Sequence, residues 1–253
     1  TGCSTTARNK EIPAIPRGMQ HFRFVPVFVF ALIASAACGS SESTSAPGTD
    51  DTGTTSPATA LFALPASLDE LSEEHFLDLP WPNDLRREAD GTVRFIGMYN
   101  PKIVPLIRDY LDATKGLLTG FSPAAAIYFR FTSPIDESTL PKDPKASTQK
   151  SASAFLIDID PKSDERGKKH PVEIYVRNSA GLYWQENTLA LLPVLGMPLR
   201  PNTKYAAVVT RDVKDTSGAA MAPSADLEEV LGTKESTDAH ADQVKKFSSA
   251  IAE

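Results

Sequence analysis

Apolar and polar residues alternate over five short runs between residues 124 and 210, a period of two that is typical of half-buried strands. The apolar positions are Ile127, Phe129 and Phe131; Phe155, Ile157 and Ile159; Val172, Ile174 and Val176; Leu189 and Leu191; and Tyr205, Ala207 and Val209. Turn-forming residues bound each run, and no helical pattern separates the runs. The pattern therefore predicts a mainly β fold, an antiparallel β-sandwich with a few short helices.

Two features are predicted on the N-terminal side of these strands. Ile103, Ile107 and Leu111 recur every four residues, which places them on one face of a helix. Before that helix, Asp90-Gly91 predicts a turn into a short strand over residues 93–96.

A helical pattern returns after the last predicted strand. Ser224 can cap a helix over residues 225–231, which Gly232 ends. Thr237 or Asp238 can cap a second helix. The apolar stripe of that second helix consists of Val244, Phe247 and Ile251. Because the sequence stops inside this stripe, we expect the protein to continue beyond residue 253.

The most apolar stretch of the chain is FVPVFVFALIASAA, residues 24–37. It is 14 residues long, whereas a helix that spans a membrane needs about 20. Arg23 gives it a basic start, and Ala36-Ala37 are the small residues that suit a cleavage site. We therefore predict a signal peptide over residues 19–37 and an upstream extension over residues 1–18.

The residue directly after the predicted cleavage site is Cys38. A cysteine in this place resembles the lipobox of bacterial lipoproteins, whose cysteine thiol accepts diacylglycerol. The resemblance implies that Cys38 is the lipidated N-terminus of an exported cell-envelope protein. The next residue is Gly39, and in this position the sequence resembles lipoproteins that are sorted to the outer membrane or cell surface. The alternative is a free thiol just past an ordinary cleavage site.

The rest of the chain divides by composition. Residues 39–60 contain only Gly, Ser, Thr, Pro, Ala, Asp and Glu, which bury too little apolar surface to offset the entropy of ordering. We predict a disordered tether over 38–60, an N-terminal module with one helix over 61–120, the β-sandwich over 121–223 and a helical segment over 224–253.

Charge and cysteine content exclude several partners and sites. The chain has 26 Lys and Arg residues and 32 Asp and Glu residues. Four of the basic residues and one of the acidic residues precede Cys38. The part from Cys38 onward therefore has 22 basic and 31 acidic residues, a net charge of −9. This acidic balance argues against a nucleic-acid partner. Lipid rather than protein charge would hold the protein to a membrane. No cysteine follows Cys38, so a disulfide framework and thiolate metal sites are excluded there.

Four segments resemble bacterial Ig-like domains of surface-layer and other exported proteins. They are IYFRFTSPIDESTL (127–140), NTLALLP (187–193), LRPNTKYAAVV (199–209) and VKDTSGAAM (213–221). The resemblance implies an Ig-like sandwich without catalytic residues that acts as a spacer, a contact surface or a cover on a neighbouring domain. Upstream, residues 79–95 and 120–131 resemble the N-terminal region of secreted bacterial lipases, which implies that an α/β-hydrolase or another exported domain follows.

Catalytic and metal-binding motifs are weak throughout. The nearest match to the G-x-S-x-G nucleophile elbow is Gly120–Ala124, in which Pro123 follows Ser122 and lacks the backbone N–H that an oxyanion hole needs. The histidines are His21, His75, His170 and His240. They lack the i,i+4 spacing of a helical zinc site, which predicts surface or capping roles. We predict no catalytic residue, cofactor or metal.

Two other groups of residues leave alternatives open. A carboxylate-rich stretch contains Asp158, Asp160, Asp164 and Glu165. Pro161 and the missing turn glycine do not fit a calcium loop. Alternation places Asp158 and Asp160 on the solvent face of a strand end, with a weak calcium site as the alternative. Trp81, Tyr183 and Trp184 could stack on sugars if they were exposed together, whereas aromatic side chains in a sandwich are more often core.

The leading hypothesis is a non-catalytic, membrane-anchored exported lipoprotein that acts as a structural or interaction module. The alternative is the non-catalytic N-terminal part of a secreted lipase or esterase whose catalytic domain lies beyond residue 253. A third hypothesis is a carbohydrate- or partner-binding surface module. The predicted partners are a membrane, reached through the lipid on Cys38, and a downstream domain or envelope protein.

Replacement of the predicted lipid acceptor tests the anchor. We expect Cys38→Ser to abolish incorporation of radiolabelled palmitate in a bacterial host and to move the protein from the detergent phase to the aqueous phase. The matched control is Cys3→Ser, which should change neither result. Palmitate incorporation that survives in Cys38→Ser would contradict the assignment.

Overall fold

The computed structural model describes residues 58–65, 72, 75–88, 90–95, 97–98, 100 and 104–245. The predicted upstream extension, the signal peptide, Cys38 and the tether up to residue 57 lie outside these residues. The last three residues of the predicted tether, 58–60, are part of the fold, which corrects the predicted boundary. They are ordered because the small side chains of Ala58 and Ala60 are buried, at 2% and 4% exposure.

Short strands and short helices follow one another along the chain. The strands are β1 (Thr59–Ala60), β2 (Ile127–Arg130), β3 (Ala154–Asp158), β4 (Lys169–His170), β5 (Val172–Arg177), β6 (Thr188–Pro193), β7 (Tyr205–Val209) and β8 (Ala222–Pro223). The α-helices are α1 (Pro105–Thr114), α2 (Pro144–Ser147) and α3 (Ala225–Val230), and 3-10 helices occupy Phe76–Asp78, Asp84–Arg86 and Glu137–Thr139. Residues 241–245 are also helical.

Strands β2 to β7 form two antiparallel sheets of three strands each, ordered β2-β6-β5 and β4-β3-β7. In the first sheet Leu191 of β6 lies between Ile127 and Ile174. In the second sheet Leu156 of β3 lies opposite Ala207. The two-residue strands β1 and β8 pair in parallel. The prediction of a mainly β, antiparallel fold with a few short helices is confirmed.

One apolar core joins the two sheets. Its members include Ile127, Phe129, Leu189, Leu191 and Val172 from the first sheet and Ala154, Leu156, Tyr205, Ala207 and Val209 from the second. The predicted apolar faces of β2, β5, β6 and β7 are therefore confirmed. Because side chains in a strand alternate between its two faces, each of these strands contributes every second residue to the core.

The predicted face of β3 is wrong. Ala154, Leu156 and Asp158 are buried on the core side, whereas Phe155, Ile157 and Ile159 are only partly buried. These three pack on Ala206 and Val208 in a second, smaller cluster. Both faces of β3 carry apolar residues, so alternation alone does not identify the inner one. The assignment of Asp158 and Asp160 to the solvent face is consequently wrong, since they are 2% and 9% exposed.

A buried arginine organises the segment before β2. Arg86 is 1% exposed, and its Nη2 donates a hydrogen bond of 2.6 Å to the carbonyl oxygen of Phe76. Its guanidinium carbon lies 4.0 Å from the Phe76 ring centre and 5.6 Å from that of Trp81. Burial lowers the pKa of Arg86 to about 9. The strand predicted over 93–96 is reduced to an isolated bridge between Arg87 and Val93, with residue 96 outside the described residues.

Helix α3 has its predicted cap, whereas α1 has no side-chain cap and the second C-terminal helix begins later than predicted. Helix α1 has Pro105 in its first turn and buries none of its residues. In α3 the side chain of Ser224 accepts a hydrogen bond from the backbone N–H of Leu227, and Gly232 has a φ of +71° just after the helix. The second C-terminal helix is seen over 241–245, after a turn at 238–240. None of the helices among the described residues has the length and apolar character needed to span a bilayer.

The shared core predicts a large effect of truncation in the central strand β6. Leu191 is fully buried between β2 and β5, so Leu191→Ala should lower the free energy of unfolding by about 3 kcal/mol, through lost burial and the cavity left behind. Urea titration measures this, with Leu195→Ala, at an 80% exposed position, as the control. Equal stability of the two variants would contradict the core assignment.

Candidate functional site

The carboxylates suggested as a calcium loop are occupied by protein donors. Asp158 accepts hydrogen bonds from the Ser163 hydroxyl at 2.6 Å and from the Asp160 backbone N–H at 2.9 Å, and its Oδ2 lies 2.5 Å from Nη2 of Arg200. Asp160 accepts from the backbone N–H groups of Lys162 and Lys204. These contacts fasten the 159–168 loop to the start of β7, which is a structural use of the carboxylates.

Arg200 closes this network on the solvent side. Its side chain is 40% exposed and also lies 3.3 Å from Glu165. A hydrogen bond with Tyr205 does most to raise the pKa of Arg200. Burial opposes this effect, whereas a hydrogen bond with Asp158 and the charge of Glu165 add to it. A permanent cation therefore already occupies the place that a calcium ion would need.

Ser122 serves a turn. Its Oγ accepts a hydrogen bond of 3.3 Å from the backbone N–H of Ala124. The carbonyl of the next residue, Pro123, accepts from the backbone N–H of Leu199. These contacts explain Ser122 as a residue of the loop that precedes β2.

His75 and His170 lie at the surface and contact neighbouring polar groups. His75 precedes the first 3-10 helix, and its Nδ1 lies 2.6 Å from Asp78, which also pairs with Arg130 at 2.7 Å. The Nε2 of His170 lies 2.8 Å from the carbonyl oxygen of Met197. His21 lies outside the described residues.

The structure separates the aromatic residues considered for sugar binding. Trp81 packs on Phe76, Phe95 and Phe121, with ring centres 5.2 to 5.6 Å away, and bridges to β2. Trp184 lies in the loop after β5, which is the opposite edge of the same sheet. Trp81 is therefore a packing residue, and no platform includes both tryptophans.

The Trp184 loop nevertheless exposes apolar surface. Leu182, Tyr183 and Trp184 are 48%, 50% and 38% exposed. The indole of Trp184 lies against the backbone of Gly181, where an added Cβ would be 2.2 Å from Trp184 Cε2. Arg177 lies 5.6 Å from the indole ring centre. The loop tip is thus held in a defined shape and presents Leu182 and Tyr183 outward.

A cluster that sequence reasoning missed lies on α3. Asp226, Glu229 and His240 place one ligand atom each within 4.8 Å of the others. Glu229 is 3% exposed, and its Oε2 lies 3.0 Å from Nδ1 of His240. The i,i+3 spacing of the two acids was a visible signal, but His240 comes from a separate segment, which a search for i,i+4 pairs does not detect.

Several donors hold the Glu229 carboxylate in its ionised form. Burial acts to raise the pKa of Glu229, but hydrogen bonds from His240 and the Thr237 N–H, with the charges of His240 and Lys234, lower it overall. Lys234 Nζ lies 3.5 Å from Oε1. The cluster thus consists of two acidic side chains, one imidazole and one nearby ammonium.

No protein-family model, curated protein or solved structure matches this chain. The resemblances to Ig-like domains, lipoproteins and lipases therefore remain predictions, and any function rests on the residues and contacts described above.

Asp215, in the 213–221 segment, shows how a carboxylate holds a turn. Its Oδ1 accepts hydrogen bonds from the Ser217 N–H at 2.9 Å, the Ser217 hydroxyl at 2.6 Å and the Ala219 N–H at 2.8 Å. The Ser217 hydroxyl lowers the pKa of Asp215 most, and the backbone donors add to this against the opposing effect of burial.

This lowered pKa gives a pH-dependent prediction. A depressed carboxyl pKa stabilises the fold above the unfolded-state pKa of about 3.9, and that stability is lost as the pH falls through the folded-state value. Asp215→Asn should therefore lower the melting temperature at pH 7, and the difference from wild type should shrink below about pH 4. Asp164→Asn, at an exposed position, is the control. A constant difference across this pH range would refute the role given to the charge.

Proposed function

We propose that this protein is a non-catalytic, exported lipoprotein, anchored through Cys38, whose folded part is an Ig-like β-sandwich acting as a contact module. The sequence features at residues 19–38 support export and lipidation. Two antiparallel sheets that share one core support a sandwich, the architecture implied by the resemblance of residues 127–221.

The non-catalytic part of the proposal rests on one observation: the buried charged side chains hold loops and backbone in place. Asp158 and Asp160 fasten one loop, Asp215 holds another, and Arg86 binds the backbone of Phe76. Covalent catalysis of the lipase or esterase type needs a nucleophile and a base in hydrogen-bond reach within a shared cleft. These side chains instead stiffen loops, which suits a module that presents a fixed surface.

The Leu182–Trp184 loop is the contact surface that the geometry supports best. Exposed aromatic and aliphatic side chains on a shaped loop are typical of protein contact sites. The loop tip joins two strands of one sheet and is supported by Gly181 and Arg177. Little side-chain entropy is therefore lost when a partner covers the loop.

A second candidate function has one observation in its favour. Helix α1 and the turn after it expose Leu106, Tyr110 and Leu117 at 62%, 65% and 72%. They lie between the two segments that resemble the N-terminal region of secreted lipases. An apolar helix face of this kind favours a further domain packed on α1, as the lipase alternative expects.

Site-directed photo-crosslinking in cells tests the contact module. A photoreactive phenylalanine analogue at Tyr183 should yield an adduct with an envelope protein, because the side chain points outward at the loop tip. The same analogue at Lys162, an exposed position in a different loop, is the control.

Each result of the crosslinking has a distinct meaning. An adduct with glycan, lost in Trp184→Ala, would replace the protein partner by a carbohydrate. Equal adducts at both positions, or none at Tyr183, would contradict the proposed surface. A lipidated species much heavier than residues 38–253 plus acyl chains, detected by intact mass, would favour the lipase alternative.

A further inference from the structure

We propose that Asp226, Glu229 and His240 bind a divalent transition-metal ion of the Zn²⁺ class and that the ion fastens the 232–245 segment to α3. The site lies where the segment after α3 folds back on the helix. It is separate from the Leu182–Trp184 loop and does not depend on the contact function proposed for that loop.

The distances between the donor atoms are close to those of a metal site. Ligand atoms about 2.1 Å from a zinc ion lie roughly 3.0 to 3.4 Å from one another. Glu229 Oε2 and His240 Nδ1 are already 3.0 Å apart, and all three ligand atoms lie within 4.8 Å of one another. The partly exposed Asp226 supplies the third ligand atom.

The donor types favour one class of ion. Imidazole nitrogen together with carboxylate oxygen suits Zn²⁺ and its neighbours, whereas Ca²⁺ and Mg²⁺ prefer oxygen ligands alone. Three protein ligands leave a fourth position for water. The geometry therefore points to a partly open, three-ligand site.

The surroundings hold the ligands in place. Asp226 Oδ2 accepts the backbone N–H of Leu64 at 2.7 Å, and Glu229 Oε2 accepts that of Thr237 at 3.3 Å. Backbone donors of this kind orient metal-binding carboxylates in known sites. The two ligands on α3 are thus tied to two different parts of the chain before any ion binds.

The charge of the cluster also favours a cation. Two carboxylates one helical turn apart repel each other, and one of them is almost fully buried. Lys234 offsets part of this charge from 3.5 Å, but its side chain is 48% exposed. An incoming divalent ion can displace it toward solvent without leaving a buried charge unpaired.

Calorimetry with Zn²⁺ on the full chain, purified in detergent and carrying Cys3→Ser and Cys38→Ser, tests the site without competing thiols. We expect one ion per chain and a rise in melting temperature with Zn²⁺, because a ligand that binds only the folded state stabilises it. His240→Gln and Asp226→Asn should each weaken binding at least tenfold and remove the thermal shift. His170→Gln, whose histidine bonds to the Met197 carbonyl, should leave both unchanged.

The remaining outcomes contradict the proposal. No saturable binding by the parent chain would show that the Glu229–His240 contact is only a structural ion pair. Zn²⁺ binding that persists in both variants, or is lost equally in His170→Gln, would place the ion elsewhere. Ca²⁺ binding of equal strength that survives His240→Gln would show a site made of oxygen ligands alone. Melting curves recorded in a chelator identify any variant that is unfolded, and Asp226→Asn then replaces His240→Gln as the deciding variant.

Discussion

The structure depends on the burial of one face of each of two small sheets against the other. A sheet that is apolar on one face must bury that face against another element of structure. Leu191 in the centre of one sheet and Leu156 in the centre of the other are fully buried in the same core. The conformations of the connecting loops follow from this arrangement, because each loop must return the chain from one sheet edge to the next.

Buried polar groups then fix these loops in particular shapes. Asp158 points into the core side of β3, where Arg200 and Ser163 compensate its charge. Glu229 is compensated in the same way by His240 and Lys234 at the other end of the chain. A buried carboxylate without a partner would lower the stability of the fold. The residues that pair with Asp158 and Glu229 therefore fix the position of the segments to which they belong. The Leu182–Trp184 loop is shaped differently, by the packing of the Trp184 indole on Gly181 and beside Arg177.

The strands could be predicted from the sequence, but only part of the Asp226, Glu229 and His240 cluster could be. Period-two alternation located β2, β5, β6 and β7 with the right inner faces, and in β2 and β5 polar outer residues such as Arg130 and Glu173 mark the face that lies away from the core. It failed for β3, where Phe155 and Ile157 are as apolar as Leu156. The Glu229–His240 contact could not be predicted, since it depends on how residues 232–240 fold back on α3. Cys38 and the signal peptide have sequence support alone.

Amide hydrogen exchange in the native state tests the central claim, that the two sheets form one cooperative unit around a shared core. The backbone amides of Leu191 in β6 and Val208 in β7, which lie in hydrogen-bonded pairs with Ile127 and Phe155, should exchange only through global opening, with the same opening free energy. Leu191→Ala should reduce the protection of both amides by the same amount. Faster exchange of one sheet, or loss of protection confined to the β2-β6-β5 sheet, would contradict the claim.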